Sequence, residues 1–172
     1  MKKNYTAGFS ILFAVLVSSI VLAIGASLAN KAAREIVFAT SGRESQKAFY
    51  SADTGFECAF YLDKKDVGVF ATSTATYVQV GPRYCVEQDI TNGWTISAGS
   101  SGGAVTVFSL DASDNARPEP ICATVTVTKK VASGSGPVKY QTTIVSRGYN
   151  TCNTSDSRRV ERALQGSYLS TQ

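Results

Sequence analysis

Residues 9–29, FSILFAVLVSSIVLAIGASLA, form an uncharged run of 21 residues between Lys3 and Lys31. As a helix rising 1.5 Å per residue, the run is about 31 Å long, enough to cross the hydrocarbon core of a bilayer. Its serines can bond back to the preceding turn and so cost little in lipid. From Asn30 to about Tyr61 there is no proline. Here Phe38, Ser45, Phe49, Ala52, Phe56 and Ala59 recur at spacings of three, four or seven, which marks one face of a helix. Lys31, Arg34, Arg43, Glu44, Lys47 and Glu57 take the other face, and Gly42 is a soft spot between the halves. The pattern predicts one helix from Phe9 to about Phe60, about 78 Å long. Ordinary globular helices are far shorter. The outer half therefore needs lipid or other subunits to cover it.

From about Leu62 the helical period ends and β-rich runs alternate with turn signals. The runs are 76–80, 94–97, 105–110, 121–130, 138–146 and 159–168. In 121–130 the alternation is clean. Ala123, Val125 and Val127 share one side, and Thr124, Thr126 and Thr128 share the other, as in a half-buried antiparallel strand. Ser133-Gly134-Ser135-Gly136-Pro137 reads as the loop of a hairpin to the next strand. The expected architecture is α+β: a long N-terminal helix, transmembrane in its first half, packed against a twisted antiparallel β-sheet head. Phe49, Ala52, Phe56 and Ala59 are expected to be buried against that sheet, with Lys47 and Glu57 exposed.

Composition narrows the chemistry. The chain has no histidine, which removes Ser-His-Asp and Cys-His nucleophiles, His-ligated metals and the usual proton-transfer residue. Charged residues are 17%, below the roughly 25% of an ordinary soluble domain. The net charge of +4 includes Lys2 and Lys3, so no strong basic field argues for nucleic acid. No carboxylate pair or activated nucleophile stands out. No catalytic residue, cofactor or metal is therefore expected. Asp111, Ser113, Asp114 and Asn115 crowd oxygens into one loop, but it lacks the glycine and distant Glu of a calcium loop. Arg158, Arg159 and Arg162 read as part of a solvated strand, Trp94 as core, and Asp63, Lys64, Lys65 and Asp66 as a mixed-charge turn.

The N-terminus, MKKNYTAG before FSILFAVLV, resembles a class III prepilin signal. The chain is similar to type IV minor pilins and the related minor pseudopilins over about residues 1–62, including AFYSADTGFECAFY at 48–61, with Asp53 in the acidic place of an Ala-Phe-x-Ala-Ala-acidic pattern. The resemblance implies a leader at 1–8, cleavage after Gly8 by prepilin peptidase and N-methylation of Phe9. It further implies a membrane half at 9–29, an amphipathic half at 30–61 and a β-rich head at 62–172. Implied partners are membrane lipid, other pilin subunits and their assembly machinery. The implied location is the bacterial cytoplasmic membrane before assembly, then an extracellular pilus or periplasmic filament. The fifth residue after the cut, Glu in most major pilins, is Phe13 here. A carboxylate there neutralises a buried α-amino group, and its absence suits a subunit used at a tip or in initiation. The alternative is a single-span anchored β-sheet domain that binds a ligand or partner. A secreted form, cut after Ser27-Leu28-Ala29, is disfavoured because signal h-regions are shorter than this run.

The cysteines are Cys58, Cys85, Cys122 and Cys152. None forms a C-x-x-C pair, so disulfides are favoured over zinc in an extracytoplasmic head. Four cysteines allow three pairings. Cys58–Cys85 is favoured because it ties the helix end to the head. Cys122–Cys152 is favoured because pilins often close a loop near the C-terminus.

Overall fold

The computed structural model describes residues 7–66, 68–75, 77, 81–99, 103–112, 121–132 and 138–171. The chain divides into two units, Met1–Gly42 and Arg43–Gln172. One helix, α1 (Ala7–Lys65, 59 residues), supplies all the described structure of the first unit and the start of the second. In the first unit every residue from Phe9 to Gly42 is exposed. Ser18, Ser19 and Thr40 return their hydroxyls to carbonyls three or four residues back, at 2.7–3.1 Å. These three hydroxyls are thereby satisfied within the helix.

The second unit is the α+β fold expected. Five antiparallel strands run in sequence order: β3 (Thr95–Ala98), β4 (Ala104–Ala112), β5 (Ile121–Ala132), β6 (Lys139–Tyr149) and β7 (Glu161–Thr171). A separate two-residue hairpin, β1 (Tyr84–Cys85) with β2 (Gln88–Asp89), precedes them. Residues 43–65 of α1 pack on the sheet. The period-2 pattern works as the sequence suggests: Ala123, Val125 and Val127 are buried, and the threonines between them are half-buried on the other face. Registers place these residues in rows. Thr106, Val127, Ile144 and Gly166 form one row, and Phe108, Val125, Ser146 and Leu164 the next.

Several expectations need correction. The stripe that seats the helix is Ala48, Ala52, Gly55, Ala59 and Leu62, all buried. Phe49 is 44% exposed and does not enter this seat. The reason is close backbone approach: a Cβ on Gly148 of β6 would collide with the backbone at Ala48 and Ala52. Only small residues fit there, so the phenylalanines flank the line of closest contact. Trp94 precedes β3 and packs against both Phe70 and Phe108, with ring centroids 5.4 and 5.8 Å away. Of the run 76–80, Tyr77 alone is described and is not in a strand; the rest lies outside the described residues. So do 113–120, with Ser113, Asp114 and Asn115, and the loop 133–137. Asp111 belongs to β4.

Candidate functional site: the helix and its seat on the sheet

The sheet-facing part of α1 has two lines of side chains. The central line, the small residues above, lies over β5 and β6. A Cβ added at Gly55 would come within 2.6 Å of Ser146 Oγ and 2.8 Å of Val125 Cγ2. A second line faces β7. Arg162 Nε donates to Ser45 Oγ at 2.9 Å, the Phe56 ring lies against Gly166, and the Phe60 ring meets Tyr168 edge-on at 5.2 Å. Phe49 shares this line by helical spacing. Of the four residues expected in the seat, Ala52 and Ala59 are fully buried, and Phe56 is partly buried against the core. Glu57 is exposed and Lys47 is intermediate. Gly8 and Phe9 lie in the first turns of α1, with Phe9 77% exposed.

At the C-terminal end of the seat lies a buried polar cluster. Asp63, on the last turn of α1, meets Lys129 Nζ at 2.6 Å, and both side chains are fully buried. Tyr168 OH donates to Asp63 Oδ2 at 2.6 Å and Thr142 Oγ1 donates at 3.3 Å. Lys129, Thr142 and Tyr168 occupy one row of the sheet, so three strands converge on one helical carboxylate. Burial, and then the facing carboxylate, push the Tyr168 phenol far above its ordinary value. The mixed-charge turn expected at 63–66 is thus the end of the helix. Its Asp63 is a core residue, and Asp66 pairs with Arg83 Nε at 3.0 Å. Lys129 continues the inward parity of Val125 and Val127, a signal present in the sequence but masked by its charge.

The opposite end is tied by Asn150, which is buried. Its amide donates to Glu44 Oε2 at 2.7 Å and its carbonyl accepts from Val160 N–H at 2.7 Å. The hydrogen bond from the Asn150 amide holds the Glu44 carboxyl below its usual value. Ser51 Oγ donates to Tyr149 O at 3.1 Å beside it.

The disulfides are Cys58–Cys85 and Cys122–Cys152, with Cα separations of 6.0 and 5.4 Å. The first staples α1 to the β1–β2 hairpin, and the second staples β5 to the β6–β7 loop. Asp111, Cys122 and Cys152 lie within metal-ligand reach of one another. The bonded sulfurs have no thiolate to offer, so this is a covalent staple beside a carboxylate. The three arginines do not gather. The Arg158 side chain points to solvent, Arg159 stacks on the Tyr149 ring at 3.6 Å, and Arg162 reaches the helix.

This arrangement holds a helix rigidly on a sheet. Its buried charges, Asp63 and Lys129, are paired with each other, and Asp63 also accepts from the hydroxyls of Tyr168 and Thr142. Comparison of the chain with protein-family models, with curated proteins and with solved structures finds no match. The exposed apolar stretch of α1 is long and apolar enough to cross a membrane, and is compatible with a single-pass anchor.

Proposed function

We propose that this chain is a minor pilin-like structural subunit of a type IV pilus or type II secretion-like filament. It inserts and assembles through its N-terminal helix, at a tip or in an initiating complex. The observation that carries the reading is the junction at Gly8: a short leader with Lys2 and Lys3 ends at a glycine, and a strongly apolar run follows from Phe9 within α1, which starts at Ala7. Two features support it. Every residue of the apolar run is exposed, as in a helix meant for lipid or neighbouring helices. The head is stapled to the far end of the helix by small-residue packing, an ion pair and a disulfide, a joint suited to transmitting load.

On this reading the chemistry is done to the protein: removal of residues 1–8 and methylation of the new Phe9 amine. Intact mass of the mature protein tests it. Loss of residues 1–8 is expected. An uncut chain is the outcome of an ordinary anchored protein, and loss of residues 1–29 that of a secreted one. Gly8→Val, which puts a branched side chain at the cut, should leave the precursor full-length. A variant that matures normally would remove the main support for the proposal.

A further inference from the structure

The sheet has two edges, and they are treated differently. β3 is four residues long, and shortness protects an edge from stray pairing. β7 runs for 11 residues with an unbroken register against β6, from Glu161 opposite Tyr149 to Thr171 opposite Lys139. It has no bulge and no proline. Its only charges are Glu161 and Arg162 at one end, so residues 163–171 carry none. Among the described residues no strand pairs with its outer side. Folded proteins protect such edges with charge, proline, bulges or a cover, and β7 has none of the first three along most of its length.

The helix adds a wall to this edge. Phe56 lies against Gly166 and Phe60 against Tyr168, while Phe49 and Phe60 remain 44% and 40% exposed. A sixth strand, about 4.8 Å beyond β7, would set its inward side chains beside Gly166 and Tyr168 and cover these rings.

We infer that the β7 edge is a strand-addition site whose occupant is an extended segment of a partner protein, uncharged and with apolar residues at alternate positions. A bound molecule can meet the outward amides and carbonyls of β7 in series only with another extended backbone, which favours a strand over a helix or a lipid surface as the occupant. The phenylalanine wall on one face sets the alternation. The inference does not depend on whether the chain enters a filament.

The test uses the full chain in detergent micelles and a fluorescein-labelled peptide of alternating threonine and valine with a lysine at each end. Saturable binding is expected, with slowed amide hydrogen exchange confined to β7. Gln165→Lys with Leu169→Lys, both exposed positions, should weaken binding at least about tenfold, close to 1.4 kcal/mol, and leave exchange in β5 and β6 unchanged. A peptide with proline at alternate positions lacks the needed amides and should not bind. Four results overturn the inference: no saturable binding, equal binding of the proline peptide, protection away from β7, or a dimer whose β7 amides are protected before peptide is added. The last would make a second copy the occupant.

Discussion

Asp63 and Lys129 form a fully buried ion pair, and such a pair is more costly to break than to replace. Asp63→Ala leaves an ammonium group in the core without its carboxylate. It should destabilise residues 43–172 by about 3–5 kcal/mol in urea denaturation. Asp63→Leu combined with Lys129→Met removes both charges, and should recover most of that loss. A double variant as unstable as the single one would mean the cluster holds the helix end by shape and not by charge. Tyr168 supplies a second, pH-dependent check. Its phenol is raised first by burial and then by the Asp63 carboxylate. An unfolded tyrosine ionises near pH 10, whereas the folded one stays protonated. Below pH 10 both states hold the proton and the full stability is present; above it the unfolded state alone releases a proton and stability falls. Stability measured from pH 8 to 11 should therefore decline more steeply in the wild type than in Tyr168→Phe. At pH 7 the same variant should cost about 1.5–3 kcal/mol, the worth of a hydrogen bond to a charged group.

At the scale of elements, the helix, five of the six runs read as strands and the parity of β5 were legible because each rests on a repeating pattern. The register of the helix was legible only in part. Periodicity locates an apolar face, but it cannot tell that at Ala48 and Ala52 the closest approach admits nothing larger than alanine. Gly148 decides that, from 96 and 100 residues away in sequence, by letting β6 touch the backbone at Ala52 and Ala48. Gly148→Ala should accordingly cost about 1–3 kcal/mol by overpacking, although alanine normally suits a strand better than glycine. The core residues Val69, Phe70 and Ile90 were hidden for a different reason: they lie in irregular segments, where no period marks an inward position. The β1–β2 hairpin was missed because its turn breaks the usual chemistry. Val86 and Glu87 have φ of 50° and 63° where Asn-Gly is the favoured pair. A β-branched residue at positive φ is strained. The hairpin persists with Cys85 bonded to the helix and Thr91 and Arg83 N–H donating to Asp89. Replacing Val86 with Asn and Glu87 with Gly should raise stability by about 1 kcal/mol, read as an upward shift of roughly 3–5 °C in Tm.

For the whole molecule, the proposed role makes a demand on the filament that Phe13 cannot meet. Cleavage after Gly8 would create an α-amino group at Phe9 at the end of an apolar helix. Each such amine buried without a carboxylate costs several kcal/mol. The first acidic residue after Phe9 is Glu35. At 1.5 Å per helical residue it lies about 33 Å from Phe13, several turns too far to serve a neighbour in a similar register. Repeated stacking of this subunit on itself would leave an unpaired amine at every step. A single copy at a tip, or a few copies in an initiating complex, need not incur that cost. The expected outcome is a low ratio of this chain to a separate major subunit that carries the carboxylate, measured by quantifying peptides from purified filaments. Expressed alone with the assembly machinery, the chain should remain in the membrane fraction. Phe13→Glu supplies the missing group at the right position and should raise the ratio, because each added copy could then neutralise the next amine. If the unmodified chain proves the dominant filament component, the minor role fails, and another group must meet the Phe9 amine.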